Sequence, residues 1–370
     1  MVYIVGLLSL VFLGLAFMVF GRLAGVMKSV GTTSSEETYG GMSNRVNGAM
    51  FLVFLIGGTI AATWSFIHSS QYFLPEASSI HGRRTDSLFW GAMSIITASA
   101  LLTNILLFYF AFKYQYKEGK RASYYPENHK LELLWTVVPA IIMAIMVFSG
   151  WKAWRDIMSE APEGAQEVEL VGKQFNWIAR YPGIDNNKLG AFNYKLIDSN
   201  NEVGIDFSDE SAFDDFTATE LHIPVGKPVL IRIRARDVLH SVFIPHMRVK
   251  MDAVPGMPTR FWFHPDKTTE QMRNETGNQS FKYEIACTEV CGRGHFSMKM
   301  NLVVEDQESW QKWCAEQKPL LSSFPEYASR IPANLKAKAA KYLPVGGSGV
   351  DSTATASTGG VTASGGVSLR

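Results

Sequence analysis

Four long apolar runs in the first 154 residues constrain this chain more than any other feature of its sequence. They cover residues 2–20, 48–67, 88–112 and about 133–154. Each is long enough to cross a hydrocarbon core about 30 Å thick as a helix. From about residue 160 onward the chain is charged and rich in turn residues. The pattern predicts a membrane α-helical region of about four transmembrane helices, followed by a large water-exposed region.

The first apolar run has two interpretations, a retained helix or a cleaved signal peptide. A signal peptide begins with a basic segment, and no Lys or Arg precedes this run. The sequence therefore favours a retained helix.

The basic residues of the short loops predict how the chain lies in the membrane. Short loops rich in Lys and Arg remain in the cytoplasm, and two of the predicted loops are of this kind. Residue 155 and everything after it are then expected on the periplasmic side of a multi-pass protein of the cell inner (cytoplasmic) membrane. The basic residues are Arg22, Lys28 and Arg45 in the first loop, and Lys113, Lys117, Lys120, Arg121 and Lys130 in the third.

The net charge of the chain is +1, from 35 Lys and Arg against 34 Asp and Glu. No nucleic-acid partner is predicted, because binding to a phosphate backbone needs a basic surface. The acidic residues concentrate in the segment 183–220, which is either a solvated loop, the favoured interpretation, or an acidic docking surface for a basic redox partner. They include Asp185, Asp198, Asp206, Asp209, Glu210, Asp214 and Asp215.

The region after residue 160 contains short segments in which apolar and polar residues alternate. Such alternation predicts strands with one buried face, and several strands in roughly 150 residues indicate a β-sandwich or small barrel. In the clearest segment, Ile231, Ile233 and Ala235 are expected to be buried, and Arg232, Arg234 and Arg236 to be exposed.

The stretch CTEVCGRGHFSM at 287–298 carries the chemistry. It contains the thiols of Cys287 and Cys291, the imidazole of His295 and the thioether of Met298. A second imidazole, that of His240, lies in RDVLHSVFIPH, close to the end of a predicted strand. These soft ligands favour copper, with zinc as the competitor.

Several arrangements of these ligands are possible. Cys287 and Cys291 can form a short-loop disulfide, or the set can hold a structural zinc ion. A mononuclear blue-copper site needs only one cysteine, so the second thiol argues against it. The remaining arrangement is a pair of copper ions bridged by both thiolates, which transfers electrons and makes no bonds. No residue is therefore predicted to be catalytic in the bond-making sense, and Cys314 is predicted to be a free thiol.

Together with DVLHS at 237–241, KMDAVPG at 250–256 and LELLWTVVPAII at 131–142, this motif resembles subunit II of the haem–copper cytochrome c oxidases. The resemblance covers about residues 88–304. It implies a cupredoxin-like Greek-key barrel that carries a binuclear copper A centre of two copper ions. The implied ligands are His240, Cys287, Cys291, His295, Met298 and the backbone carbonyl of Glu289.

The same resemblance implies a function and a set of partners. The chain would accept electrons from a cytochrome c-type donor, or a donor complex, outside the lipid membrane. It would pass them to haems held only by subunit I, where oxygen is reduced to water with proton translocation. Subunits I and III are the implied neighbours, and this chain alone is not expected to reduce oxygen. The rivals are a quinol oxidase subunit II without copper, and a copper-free docking subunit with a Cys287–Cys291 disulfide.

Four further residues receive roles from the resemblance. The Glu289 side chain matches a ligand of a magnesium ion shared with subunit I, with a solvent-facing acid as the alternative. Glu132 matches a glutamate at the cytoplasmic entrance of a proton pathway, and ordinary helix capping explains it equally well. Phe175 and Trp177 stand where the family often has W-x-W and where electrons enter. Phe175 keeps an aromatic ring but no indole, which puts the route from the donor in question.

The predicted domains follow from these assignments. Residues 1–67 form two additional amino-terminal transmembrane helices, and residues 68–155 form a transmembrane hairpin of the oxidase subunit II type. The cupredoxin-like copper A domain covers residues 160–318. Residues 319–370 are an extension and a low-complexity tail, and the tail is predicted to be disordered because Gly, Ser, Thr, Val and Ala cannot build a core.

Overall fold

A computed structural model describes Met18 and residues 42–117, 119–183 and 188–344. The first predicted span, 2–20, lies outside the described residues apart from Met18, and so does the predicted tail from residue 346.

Three long helices are present in the described part of the chain: α1 Met42–Ser69, α2 Ile80–Lys113 and α3 His129–Met158. All three are long and apolar enough to cross a membrane. They contain the predicted runs 48–67, 88–112 and 133–154, so the prediction of membrane helices is confirmed for these runs.

The chain divides into two compact units. In the unit formed by α1 and residues 97–127, the ring of Phe108 packs against Phe51 and Phe54, with centroid distances of 5.9 and 5.2 Å. The Asn44 amide donates to the carbonyl of Tyr116 at 2.8 Å. Aromatic packing thus joins α1 to α2, and the amide contact joins α1 to the segment that follows α2.

The second unit contains residues 69–96, α3 and a sandwich of two five-stranded sheets. One sheet has the order β3-β2-β1-β5-β8 and the other β4-β10-β9-β6-β7, with β1 parallel to β5 and β4 parallel to β10. This is a cupredoxin-like sandwich, which confirms the predicted all-β class. The strands are β1 Gln166–Lys173, β2 Asn176–Tyr181, β3 Phe216–Ala218, β4 Leu221–Pro224, β5 Val229–Ala235, β6 His240–Ile244, β7 Val249–Ala253, β8 Thr259–Phe263, β9 Tyr283–Cys287 and β10 Lys299–Glu305.

Four short helices lie between and after the strands of the sandwich. They are α4 Thr269–Thr276 between β8 and β9, α5 Gln307–Glu316 after β10, and the short α6 Leu320–Ser323 and α7 Lys336–Ala339. The core between the sheets follows the period-two rule, since alternate side chains of each strand point inward. Its fully buried members include Leu170, Ile231, Ile233, Val242, Ile244, Ile285 and Leu302.

Part of the outer face of the first sheet is also buried, which the sequence did not predict. Arg234 was expected to be exposed, yet only 5% of its surface is accessible. A second hydrophobic core covers this face, built from the segment 188–215 and the segment 320–343, which together we term the covering lobe. Its buried residues are Val203, Ile205, Phe207, Ala212, Phe213, Leu320, Leu321, Tyr327, Ile331 and Ala339, packed with Val171 of β1.

The interpretation of segment 183–220 as a solvated loop is therefore wrong for its described residues. Several of its acids are also bound within the lobe. Asp198 accepts hydrogen bonds from the Tyr327 hydroxyl at 2.6 Å and from Arg330 at 3.0 Å, and the Tyr327 bond is the main reason that the pKa of Asp198 falls to about 2. Glu210 pairs with Lys338 at 2.5 Å. These two acids are therefore neutralised within the lobe.

A buried ionic network joins the covering lobe to the sheet. Arg180 of β2 binds Asp215 and the carbonyl of Gly190, which belong to the lobe, and also Glu169 of β1. Arg234 of β5 binds both carboxylate oxygens of Glu169 at 2.7 and 2.9 Å. Two guanidinium groups thus neutralise two carboxylates in a site that water does not reach.

The first turns of α2 and the segment before it are bound to the turn between β6 and β7. The guanidinium of Arg248 holds both oxygens of Asp86, at 2.7 and 2.8 Å. The Ser78 amide donates to the His246 carbonyl at 2.7 Å, and the Ser79 hydroxyl donates to the Met247 carbonyl at 2.9 Å. These bonds hold the amino-terminal end of α2 against the sandwich.

Removal of Arg180 should destabilise the sandwich strongly. Arg180→Leu leaves Asp215 buried without its counter-charge, and losing one partner of a buried pair costs about 3–5 kcal/mol. The matched control is Arg232→Leu in β5 of the same sheet. The Arg232 side chain is 58% exposed, so its pair with Glu167 should contribute about 0–1 kcal/mol. Denaturant unfolding of the purified chain measures both. Equal, small losses would contradict a stabilising role for the network.

Candidate metal centre

Strand pairing brings the candidate ligands together from two distant parts of the sequence. His240 is the first residue of β6 and Cys287 the last of β9. These strands pair antiparallel with Val242 opposite Cys287, so His240 lies beside the point where the chain leaves β9. The segment 288–298 then loops over this end of the sheet before β10 begins.

The sulfur and nitrogen atoms of the five side chains form one continuous cluster. Cys287 Sγ lies 3.9 Å from His240 Nδ1 and 3.8 Å from Cys291 Sγ. Cys291 Sγ lies 3.6 Å from His295 Nδ1 and 3.8 Å from Met298 Sδ. All are buried except His295, which is half-buried. The cluster therefore has the two thiols in its middle and one imidazole beside each thiol.

The two thiols are not bonded to each other, since a disulfide requires about 2.05 Å between the sulfurs. Burial and the neighbouring Cys287 raise the pKa of Cys291 to about 11. A buried pair of thiols ionises readily only when a cation compensates the charge, and soft thiolate and imidazole donors suit copper. The donor atoms of His240, Cys287 and Cys291 lie within 4.8 Å of one another. The residues present thus fit a copper centre.

Glu289 contributes to the cluster through its backbone. Its carbonyl oxygen lies 3.2 Å from Cys287 Sγ. Its side chain is exposed and free to face outward.

Asp237 contacts a candidate ligand, and the ligand prediction did not include it. Its Oδ1 lies 2.9 Å from His240 Nε2, and its Oδ2 accepts the Gln174 amide at 2.7 Å. Burial alone would raise the pKa of Asp237, but the bonds from Gln174, His240 and Val238 outweigh burial and lower it. A D-x-x-H spacing is visible in the sequence, although only the fold shows that the carboxylate faces the ring.

Phe175 and Trp177 both lie beside the centre, Phe175 at the surface and Trp177 in the interior. Phe175 is 37% exposed and packs on Gly292 and Gly294 of the ligand loop. Trp177 is only 2% exposed, and its ring meets the His240 imidazole edge-on at 5.8 Å between centroids. Of the two rings, only Phe175 is exposed.

Glu132 lies in the first turn of α3. Its carboxylate accepts the backbone amide of Asn128 at 3.4 Å and lies 3.2 Å from His129 Nδ1. The Asn128 side chain in turn accepts the Leu131 amide, so the two residues cap the helix reciprocally. The hydrogen bonds of Glu132 and Asn128 thus support the capping interpretation, and the proton-pathway role stays a prediction.

Gly294 is required by the close approach of the Phe175 ring. A Cβ atom at this position would lie 2.5 Å from Phe175 Cγ, a distance at which one of the two groups must move. Gly292 has a φ of 131°, a conformation that favours glycine. The ligand loop thus depends on glycines where it crosses the aromatic ring.

Gly294→Ala should destabilise the chain by about 1–3 kcal/mol, the usual cost of overpacking. The control is the same change in a Phe175→Ala background, where the clash is absent and most of the cost should disappear. Thermal unfolding of the four chains of this double-mutant cycle measures the coupling. Equal costs in both backgrounds would show that the ring does not constrain the loop.

The sandwich, its buried pair of thiols with two imidazoles and the membrane helices define a membrane-anchored redox protein with a cupredoxin-like domain. Two family models match: cytochrome c oxidase subunit II, transmembrane domain, over residues 67–151, and cytochrome c oxidase subunit II, periplasmic domain, over residues 167–306. The chain belongs to the cytochrome c oxidase subunit II family.

Bacterial relatives support this assignment. The chain is 35% identical over 222 residues to the alternative cytochrome c oxidase subunit 2 of Bradyrhizobium diazoefficiens, which covers 59% of this chain and 75% of the relative. It is 28% identical over 259 residues to cytochrome c oxidase subunit 2 of Cereibacter sphaeroides, which covers 65% of this chain and 77% of the relative. A crystal structure of the periplasmic domain of subunit II of cytochrome oxidase from Bradyrhizobium japonicum covers 43% of this chain and 95% of that one, at 23% identity and a TM-score of 0.29.

The family assignment settles the general role of the chain. It is a membrane-anchored bacterial protein and the electron-transfer subunit of an oxidoreductase complex, with a copper centre in its periplasmic domain.

Proposed function

We propose that this chain accepts electrons from a cytochrome c-type donor at a binuclear copper A centre and passes them to the haems of subunit I. The observation that carries the proposal is the elongated donor cluster, in which each of two imidazoles adjoins a different one of two buried thiols. A single ion would use one end of such a cluster, whereas two ions use both.

The proposed ligands are the side chains of His240, Cys287, Cys291, His295 and Met298, with the carbonyl of Glu289. When bound, the copper pair supplies a one-electron carrier whose charge change is spread over two metals. The chain's own contribution is to bury the donors, to hold the imidazoles in place and to exclude water. In this proposal oxygen reduction and proton translocation take place in the partner subunit, which alone holds haems.

Loss of one bridging thiol should abolish the copper pair. In the complex purified with Cys291→Ser, we expect the electron-spin signal of a mixed-valence copper pair to disappear and the copper content to fall below two ions per chain. Cys314→Ser is the matched control, because Cys314 is also buried but lies on α5 outside the donor cluster, and it should keep the signal.

Each rival would give a different result in this experiment. A quinol oxidase subunit II would contain no copper before any substitution. A docking subunit stapled by a disulfide would show no free thiols at positions 287 and 291 and would also lack the signal. A wild-type chain without copper would therefore contradict the proposal.

The outward-facing carboxylate of Glu289 is proposed as the ligand of a magnesium ion shared with subunit I. Carboxylate oxygens are the ligands that Mg²⁺ prefers. Because the carbonyl of the same residue lies in the copper cluster, this residue would join the two metal sites at the interface. Subunit III is the second proposed neighbour in the same membrane.

We place the cytoplasmic loops and Glu132 on the inner side of the cell inner membrane. The proposed role of Glu132 is to receive protons at the entrance of a pathway into subunit I. Its carboxylate is about half exposed at the amino-terminal end of α3, with His129 as a neighbouring proton acceptor.

Electrons are proposed to enter at Phe175, with Trp177 behind it as the contact to His240. Phe175→Leu should slow reduction of the centre by a reduced cytochrome c-type donor several-fold without changing the reduction potential, because only the exposed contact is altered. Trp177→Phe should instead disturb the centre itself. Phe192→Leu, a substitution of a similarly exposed ring on the covering lobe, is the control. Rapid-mixing kinetics measures all three, and an unchanged rate in Phe175→Leu would exclude this route.

A further inference from the structure

The turn between β1 and β2 contacts both of the segments that carry the candidate ligands. The backbone amide of Gln174 donates to Asp237 Oδ2 at 2.7 Å, three residues before His240. The side-chain amide of the same residue donates to the carbonyl of Cys291 at 2.6 Å. Gln174 therefore joins the β6 segment to the ligand loop through two hydrogen bonds from one residue.

Asp237 extends this connection to a ligand. Its second oxygen, Oδ1, accepts the Val238 amide at 2.7 Å and lies 2.9 Å from His240 Nε2. A carboxylate only accepts hydrogen bonds, so Nε2 carries the proton. The lone pair of Nδ1 then faces Cys287 Sγ, 3.9 Å away. The carboxylate thus selects the tautomer in which the imidazole can bind a metal.

From these contacts we infer that Gln174 and Asp237 form a positioning bracket for the copper centre. The inference rests on the proposed copper site and adds the two residues that arrange it. Asp237 fixes the tautomer and orientation of His240, while Gln174 holds Asp237 with its backbone and the Cys291 end of the loop with its side chain. Neither residue is a ligand, and both act through the residues that are.

The positioning bracket contacts the imidazole of His240 and not that of His295. Among the described residues, no acceptor comparable to Asp237 faces the second ring nitrogen of His295. A carboxylate on the far nitrogen makes an imidazole a stronger donor, so Asp237 would increase the electron density that His240 gives to a bound metal. Loss of the carboxylate should therefore raise the reduction potential of the pair, because the oxidised state loses this stabilisation.

Asp237→Asn tests the carboxylate in the copper-loaded complex. We expect copper affinity to fall about 10- to 100-fold, the usual effect of removing a group that orients a ligand. The potential should rise by an amount equivalent to a several-fold change in the redox equilibrium. Asp252→Asn is the matched control, because Asp252 is an exposed acid opposite Ser241 on β7 and its loss removes the same charge without a bond to His240. Spectroelectrochemistry and copper titration give the two readouts.

Gln174→Leu tests the other half of the bracket. It keeps the backbone amide bond to Asp237 and removes only the bond to the Cys291 carbonyl. We expect lower copper affinity and, in the copper-free chain, faster amide hydrogen exchange in residues 291–295. Asn176→Leu is the control, since Asn176 is an exposed amide in the adjoining strand. Because Gln174 is itself exposed, this variant removes no buried charge and should assemble even if Asp237→Asn does not.

Two results would overturn the inference. One is an equal rise in the reduction potential in Asp237→Asn and Asp252→Asn, which would show that Asp237 acts only through its charge. The other is identical copper affinity and hydrogen exchange in Gln174→Leu and Asn176→Leu. Failure of the proposed function looks different, because the unsubstituted chain would then lack a copper pair altogether.

Discussion

The antiparallel pairing of β6 with β9 is the constraint on which the candidate centre depends. It sets Val242 opposite Cys287, and that register places His240 within 3.9 Å of the Cys287 sulfur. A slip of one residue would turn every side chain of β6 to the other face of the sheet. Val242 and Ile244 are fully buried in the core between the sheets, so apolar burial fixes the register. The same burial energy therefore determines the distance between ligands that are 47 residues apart.

The covering lobe adds a second constraint, on the other sheet. β1 is covered on both faces, by the sandwich core on one and by the lobe on the other, and the lobe also covers Arg180 of β2 and Arg234 of β5. Glu202 of the lobe pairs with Lys173 and Arg236. Each of these is the immediate neighbour of a bracket residue, Gln174 and Asp237 respectively. Packing far from the metal site thus restrains the two segments that position its ligands.

Much of this arrangement could be predicted from the sequence, and the parts that could not share one cause. Apolar runs predict helices and alternation predicts strands, because both patterns reflect burial along a single element. The alternation at 231–236 is the same whether the outer face meets water or another layer, so the burial of Arg234 was missed. The acceptor for His240 was missed for the same reason. Its identity depends on which side chains meet in the fold, and spacing alone does not say this.

The candidate centre also shows how a loop with little regular structure can hold metal ligands still. Between β9 and β10 the chain makes only one short 3₁₀ turn, His295–Ser297. Its backbone is held at both ends, by the Thr288 amide on the Ser241 carbonyl at 3.0 Å and the Cys287 amide on the Met298 carbonyl at 3.1 Å. In the middle of the loop, the Phe175 ring packs so closely against Gly292 and Gly294 that a Cβ atom on either glycine would contact it.

A site that transfers electrons works best when its ligands move little between oxidation states, because the fold then supplies the geometry in advance. Here that rigidity comes from contacts made by other segments, and the loop supplies only the donor atoms. The turn between β1 and β2 is the most important of these segments, since it provides both the Phe175 ring and the Gln174 hydrogen bonds. The ligand motif is therefore only half of the site. The other half lies more than 100 residues earlier in the chain, where no ligand occurs.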